Sequence, residues 1–197
     1  MKRIDVENKL ERIRRKQQQL DLIWAKTGNK DLLQFFVDIM PKVLDVERIS
    51  IFILDPEEDK VWLQCGTGLN ERQVIVPTSG SVVGRVISSG RSWEDMELES
   101  SVGEHDNISV KTGFTARNTL CVPVFGVTTE GVTGAIQVLN KRSASGYTAE
   151  DREVIRRLAE QIQLNIESIY LRQEMAKIAN DMRQKVSRLE RLLNQSV

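Results

Sequence analysis

A chain of 197 residues, 40% apolar and 28% charged, has the length and composition of one globular domain with a core of ordinary size. Lys and Arg together number 28 and Asp and Glu 28, so there is no net basic field to hold a polyanion, and nucleic acid is not an expected partner. The opening MKRIDVENKLERIRRK lacks the apolar stretch of a signal peptide, and no run reaches the ~20 apolar residues of a membrane span, so the segment is expected to be cytoplasmic and to make no membrane contact.

Val6, Leu10, Ile13, Gln17, Leu20 and Trp24 alternate steps of four and three residues, which predicts a helix with a heptad seam. TGNK at 27–30 interrupts it. Asn29 is the expected cap of a second helix over 31–44, with Leu32, Phe35, Phe36, Ile39 and Val43 as its apolar face. The period then becomes strand-like. Residues 49–54 are almost continuously apolar and end at Asp55-Pro56, and 61–65 follow after an acidic turn, which predicts a hairpin. Cys65 here and Cys121 further on each sit in an apolar run, the setting of a buried free thiol rather than of a disulfide or metal ligand. In VIVPTSGSVVGRVISSG, Gly80, Gly84 and Gly90 bracket a short helix over 82–88 capped by Ser81.

Residues 94–110 carry Glu94, Asp95, Glu97, Glu99, Glu104 and Asp106 without apolar periodicity and are expected to form a loop or lid. Strands over 119–125 and 132–139 flank the turn TTEG. Strands mixed with short helices, rather than alternating with them regularly, predict an α+β domain around an antiparallel sheet. Thr148 with Asp151 three residues on is a capping signature, and no Pro or Gly follows it. Ile155, Leu158, Ile162, Asn165 and Ile169 make one seam of the last helix. Met175, Ala179, Met182, Val186, Leu189 and Leu193 make another, offset by a stammer-like step through Arg172. The first half is expected to pack on the sheet and the second on a partner helix.

GFTARNTLCVPVFGVTTEGVTGAIQVLNKRSASGYTAED, with RISIFILD at 48–55 and SGSVVGRVISSG, resembles a GAF domain, nearest in motif to those of cyclic-nucleotide phosphodiesterases and bacterial cyclases. The resemblance implies a GAF-like six-stranded antiparallel sheet with the terminal helices on one face and a small-molecule pocket on the other. It divides the chain into an N-terminal helix at 1–27, a GAF domain at 28–170 and a coiled-coil-like signalling helix at 171–197. The family's signature is matched by Asn140, Lys141, Tyr147 and Asp151, with Arg152 where a final Glu is expected. The implied role is a structural brace in which Lys141 ties the last strand to Asp151 of the last helix; the other reading of Lys141 is a ligand or signalling contact.

Relatives that bind cyclic nucleotides set a pattern against which the pocket is matched. Ser50 and Thr112 fit as side chains, and Val83 and Gly84 supply helix backbone. Cys65, Ala116 and Gln137 stand where an Asp, a Thr and an acid are expected. Ser50 is either a ligand contact or a core serine bonded to backbone. Trp93 and Phe114 complete the candidate pocket and are also the side chains that would fill it. The amide of Gln137 still donates and accepts, whereas Cys65 removes a charged acceptor. Six lid carboxylates oppose a cyclic phosphate unless Arg85, Arg91, Lys111 or Arg117 faces inward; the plainer reading of the charge run is a solvated loop.

His105 is the only histidine and has no cysteine nearby, which excludes the bilin-binding pattern. Two separated cysteines do not supply the nucleophile and resolver of methionine sulfoxide reduction, nor a zinc or haem site. TSGSVVG has neither Walker nor Rossmann spacing. No catalytic residue, metal or cofactor is therefore expected. The expected function is a regulatory module whose ligand, a cyclic nucleotide or another small molecule, alters the packing of terminal helices paired in a parallel homodimer, and so an output domain or partner beyond this chain. The alternative is a ligandless dimerisation module.

Overall fold

The computed structural model describes residues 12, 14, 15, 32–55, 60–70, 74–98 and 114–194, with side chains in the last helix described through 188 and at 191. The N-terminal seam, the Asn29 cap and most of the acidic lid lie outside the described residues. The chain order is helix α1 (Leu32–Val43), strands β1 (Val46–Leu54), β2 (Lys60–Gly66) and β3 (Ile75–Pro77), helix α2 (Val82–Ser89), strands β4 (Trp93–Asp95), β5 (Thr119–Phe125) and β6 (Val132–Lys141), and helix α3 (Ala149–Asn194). Six strands form one sheet in the order β3-β2-β1-β6-β5-β4, every pair antiparallel. The α+β, six-stranded antiparallel architecture is as expected. Among the described residues no helix is long and apolar enough to cross a membrane.

The longest strands, β1 and β6, pair at the centre from Val46 with Lys141 to Ile53 with Gly134. Gly134 is required there, since a Cβ would lie 2.4 Å from the Phe52 carbonyl oxygen and 2.8 Å from Ile166. Alternation sends Ile49, Ile51 and Ile53 of β1 and Ile136 and Val138 of β6 into a core shared with α1 and α3. The opposite face carries Phe52, Leu63, Cys121 and Ala135 under Val82, Val83, Val86 and Ile87 of α2.

The face of α1 differs from expectation. Leu33 and Val37 are buried, with Phe36 and Met40 partly so, whereas Phe35, Ile39 and Val43 are 55%, 38% and 55% exposed. The helix is apolar on two stripes, and the sheet selects the one aligned with Ile49 and Ile53. Pro41 is tolerated in the last turn, and Asp45 then takes a left-handed φ of 49° to lead into β1. The three residues of β4 begin one position before the stretch expected to be a loop; too short to show a period, they are held as an edge strand by pairing with β5.

α3 is one helix of 46 residues. Thr148 and Asp151 close a reciprocal box at its start, the Asp151 N–H donating to Thr148 Oγ1 at 3.1 Å and the Thr148 N–H to Asp151 Oδ2 at 2.8 Å. Ile155, Leu158, Ile162 and Ile166 are buried on the sheet, and burial continues to Ile178. Beyond it Met182 and Val186 are 40% and 53% exposed.

Candidate functional site

On the face opposite α3, α2 covers only part of the sheet. Beyond it β1 presents Arg48 and Ser50, β6 presents Gln137 and Leu139, and β5 presents Thr119; the pairings Arg48 with Leu139, Ser50 with Gln137 and Thr119 with Leu139 place them side by side. Ser50 is buried between Gln137 on one neighbouring strand and Gly66 on the other, where an added Cβ would meet Ser50 Oγ at 3.0 Å. Gln137 Nε2 donates to Thr119 Oγ1 at 3.2 Å, and Thr119 Oγ1 donates to the Val138 carbonyl at 3.2 Å. The result is a small polar patch in a sheet otherwise faced with aliphatics.

Phe114 and Ala116 rim this patch, Ala116 packing on the core beneath α2. The Arg48 guanidinium lies 3.8 Å from the Phe114 ring centroid. Arg48 was not among the residues singled out from the motifs, although a strand that aims Ser50 at the patch must aim Arg48 there too. Asn140 fixes the rim. Its side-chain oxygen accepts from the Arg117 N–H at 2.7 Å, and its Nδ2 donates to the Thr115 carbonyl and to Glu47 Oε2, both at 2.9 Å. Its φ of 58° is a left-handed conformation that asparagine adopts more readily than most side chains. Hydrogen bonding from Asn140, outweighing burial, holds the Glu47 carboxyl below its ordinary value, with Arg117 adding to it.

Val83 is buried against the sheet, and Gly84 is where α2 meets Thr78, whose carbonyl oxygen would lie 2.1 Å from a Cβ. Ser81 caps α2 by accepting from the Gly84 N–H at 2.9 Å. Trp93 stands on the edge strand opposite Cys121, 37% exposed, with the Arg85 guanidinium 4.2 Å from its ring. Thr112 lies outside the described residues.

Cys65 is not part of the patch. The register between β1 and β2 shifts at Ile51 and Phe52, so that Cys65 pairs with Ile51 and Leu63 with Phe52, leaving Gln64 as an extra residue. This bulge turns Cys65 toward the helices, where it packs in the core beneath α1 and α3. Simple alternation carried through the bulge would place it on the wrong face. Of the cations considered as inward-facing, Arg85 is occupied by Trp93, and Arg117 pairs with Glu47; Lys111 lies outside the described residues.

The signature residues join the sheet to α3. Lys141 Nζ lies 2.9 Å from Asp151 Oδ2 and donates to the Leu44 carbonyl at 2.7 Å, so one ammonium serves the C-terminal end of α1 and the N-terminal end of α3. Burial raises the Asp151 carboxyl, but bonds from Thr148 and Lys141 outweigh it and the net shift is downward. Tyr147 is buried in the helix-side core, its hydroxyl 3.3 Å from the Val138 carbonyl, and burial raises its pKa. Arg152, where a Glu is expected, makes two bonds to Glu94 of β4, at 2.9 and 3.0 Å.

A second tie has no counterpart in the motif reading. Glu167 is fully buried and its carboxylate accepts from the N–H groups of Val127, Thr128 and Thr129 at 2.6, 3.0 and 2.5 Å and from the Thr128 hydroxyl at 2.9 Å. Burial pushes its pKa up, yet these donors prevail and hold it below the ordinary glutamate value. Helical spacing puts Glu167 on the side of α3 away from the seam of Ile155, Leu158, Ile162, Asn165 and Ile169, so no signal in the sequence marks it. No group of three or more His, Cys, Asp and Glu among the described residues is arranged to hold a metal.

No curated protein matches the sequence. Among solved structures, the GAF domain of an Acinetobacter phosphoenolpyruvate-protein phosphotransferase aligns with a TM-score of 0.58 at 21% identity, covering 85% of this chain and 95% of that one. The GAF domain of a two-component sensor histidine kinase from Bacillus halodurans aligns at 0.56 and 14%, covering 74% and 97%. Free methionine-R-sulfoxide reductase from Neisseria meningitidis, solved with its substrate, aligns at 0.56 and 15%, covering 81% and 91%. At these identities the likeness is one of fold. The sequence model of the GAF domain matches residues 29–168, the stretch that holds the six strands, the polar patch and the sheet-packed half of α3, and the chain belongs to the GAF domain family.

Proposed function

We propose that this GAF domain is a sensory and regulatory module, with a helix at 1–27, the sensor at 28–170 and a signalling helix at 171–197. A small molecule on the polar patch biases the start of α3, and an output domain or partner beyond this chain reads that helix. The observation that carries this reading is the short path from rim to helix. Asn140 holds residues 115–117; its neighbour Lys141 bonds Asp151 in the first turn of α3; and Arg152 beside it holds Glu94 of β4. A ligand that shifts the rim or β4 acts directly on the first turn of a helix that runs on for 46 residues.

The ligand has a polar edge to meet Ser50 and Gln137 and an aromatic or anionic part to meet Arg48. The motif likeness to phosphodiesterase and cyclase domains supports a cyclic nucleotide, but Ala116 offers no hydroxyl and Cys65 faces away. Each polar ligand group left buried without a partner costs on the order of 1 to 3 kcal/mol, so two such losses weaken binding roughly thirtyfold to twenty-thousandfold. Cyclic AMP and cyclic GMP are therefore expected to bind weakly or not at all. A thermal-shift screen of cyclic nucleotides and small metabolites, followed by calorimetric titration, tests this. A hit whose shift is lost in Ser50→Ala supports the site; submicromolar affinity for either nucleotide refutes the expected weakness.

Regulation is favoured over catalysis by the cysteines. Cys65 and Cys121 are buried on opposite faces of the sheet, and burial raises the Cys121 thiol pKa, the reverse of what a reactive thiolate needs. A ligandless reading is supported by Phe114 packed on Arg48 and Trp93 on Arg85, side chains that cover the face themselves. In either case the distal part of α3, with Met182 and Val186 exposed, is the part that pairs in a parallel homodimer. Met182→Glu with Val186→Glu should weaken the dimer in light scattering; a monomeric unmutated protein at high micromolar concentration refutes it.

A further inference from the structure

α1 and α3 both pack on the sheet, and at the end where α1 begins they leave a groove of ≈ 680 Å³ between them and β2. It lies on the face away from the polar patch, and its size is that of a small-molecule site. The bulge in β2 shapes its floor, since the extra residue Gln64 and the turned Cys65 both join the lining. Leu33 and Trp62 give it apolar sides. α3 closes it with one face, on which Asn165, Ile169 and Gln173 follow each other at four-residue steps.

Two amide nitrogens in that lining, Asn165 Nδ2 and Gln173 Nε2, are buried with no hydrogen-bond partner among the described residues. Gln173 is oriented from one side only: its Oε1 accepts the Trp62 indole N–H at 3.1 Å, which leaves the nitrogen over. Asn165 is 4% exposed and continues the seam of Ile155, Leu158 and Ile162, where an aliphatic side chain would pack without an unmet donor. Each unpaired donor costs roughly 1 to 3 kcal/mol. Neither nitrogen is open to solvent, so water does not offset that cost. An acceptor reaches them only on a molecule that inserts between the helices and β2 and parts the side chains above them.

The spacing and burial of the two donors define what fits. Eight residues of helix set them about 12 Å apart along α3, which an extended chain of roughly ten bonds spans at ~1.2 Å per bond. Ile169 lies between them, against the apolar middle of such a chain. At Asn165, the more buried end, a carboxylate would lose its solvation without a counter-charge, whereas a neutral oxygen would not incur that penalty. Gln173 is half-buried beside Arg172 and Ala176, which are exposed, and Arg172 is the only charged side chain among the described lining residues. That open end suits a carboxylate. We infer that the groove is a second ligand site, taking a medium-chain hydroxy or oxo carboxylic acid whose neutral oxygen accepts from Asn165 and whose carboxylate accepts from Gln173. The occupied groove ties α1, β2 and α3 together just before Ile178, the last residue of α3 that is buried among those described. A molecule there acts where the helix leaves the domain, whereas one on the polar patch acts on its first turn; the inference does not depend on the patch.

Titration of the full chain with 10-hydroxydecanoate, followed by melting temperature and by calorimetry, tests the assignment. Binding should be saturable. Decanoate, without the far oxygen, and 1,10-decanediol, without the carboxylate, should each bind about tenfold more weakly. Asn165→Leu keeps the shape of the wall and should erase the advantage of 10-hydroxydecanoate over decanoate, since the lost donor is the one that reads the hydroxyl. Gln173→Glu keeps an acceptor for Trp62 and removes the donor, and should weaken both acids by about tenfold or more but not the diol. Ala176→Trp, a change at an exposed position, should block all of these ligands by filling the groove. If Gln173→Glu does not fold, Asn165→Leu and Ala176→Trp decide the matter between them. Absence of saturable binding of 10-hydroxydecanoate at ~1 mM overturns the inference, as do equal affinities for acid, hydroxy acid and diol, or binding that Ala176→Trp leaves untouched.

Discussion

β1 and β6 build two surfaces from one set of residues. Toward α1 and α3 they send Ile49, Ile51, Ile53, Ile136 and Val138, all 1% exposed or less. Toward the other side they send Arg48, Ser50, Phe52, Ala135, Gln137 and Leu139, of which Phe52 and Ala135 are buried in the core under α2 and Leu139 packs against it. The first surface is uniform because its task is to exclude water beneath two helices. The second mixes a cation, a hydroxyl and an amide at the centre of a sheet, where polar groups cost stability unless they are bonded or used. If the polar patch is the ligand site proposed above, stability and recognition are divided between alternate positions of the same strands, and substitutions that alternate along one strand separate them.

The largest contrast is between two residues of β6 on opposite faces of the sheet. Ile136→Ala on the helix side empties a fully buried site and should cost about 2 to 5 kcal/mol; Leu139→Ala, partly buried on the other side, should cost less than half of that. Equal losses in denaturant unfolding would show that both faces are core. Glu167→Gln comes next. Its carboxylate takes three backbone N–H groups, and an amide must turn an NH₂ toward some of them, a penalty of about 1 to 3 kcal/mol. The shift is downward in the folded state, so this carboxylate stabilises the fold above the unfolded glutamate value of about 4.3, and the contribution is lost as pH falls through the lower folded value. Variant and unmutated protein should therefore differ at neutral pH and converge in acid; a gap that persists in acid would mean the shape of the side chain, and not its charge, holds the 127–129 turn.

The sheet was legible in the residues because alternation is a local signal: the runs at 49–54, 119–125 and 132–139 each fall within an observed strand. Two kinds of error share a physical origin in long-range contacts. The stripe of α1 that faces the core depends on how the helix is rotated over β1, and Phe35, Ile39 and Val43 look as apolar in sequence as Leu33 and Val37. Cys65 depends on a bulge, which has no sequence mark and inverts every face assignment beyond it. Ser50, Val83, Gly84 and Gln137 could be placed because no irregularity intervenes between them and their strand or cap. Arg48 was readable by the same period, although a motif match attends only to the positions its family uses; Glu167 was not, because helical spacing puts it away from the apolar seam of α3 and its partners lie in the distant 127–129 turn.

The brace between the two surfaces gives a smaller effect than either core change. Lys141 and Asp151 have side chains 7% and 11% exposed, so the pair is only lightly screened. Each alanine substitution should lower the melting temperature, and the double variant should lose less than the sum, with a coupling of about 0.5 to 3 kcal/mol. Additive losses would mean that Lys141 acts through the Leu44 carbonyl and Asp151 through Thr148, independently. Asp151 also titrates low, so its share of the stability is present at neutral pH and fades in acid as the pH drops through its folded value.

The smallest effect on folding and the sharpest test of the division is Arg48→Met. Its guanidinium lies over Phe114 at 3.8 Å, and such a contact near the surface contributes about 0.5 to 1 kcal/mol. The methionine keeps most of the apolar stem and removes the charge, so unfolding should change by no more than that amount, less than for Glu167→Gln and far less than for Ile136→Ala. A ligand that uses the patch should nevertheless lose most of its thermal shift, because Arg48 is the cation that stands two residues from Ser50 on the same face. If Arg48→Met instead destabilises the protein as much as a core deletion, the Phe114 contact belongs to the core, the patch is filled by its own side chains, and the ligandless reading becomes the better one. If stability is unchanged and a bound molecule keeps its full shift, the ligand lies elsewhere on the face, nearer Trp93 and the start of α2.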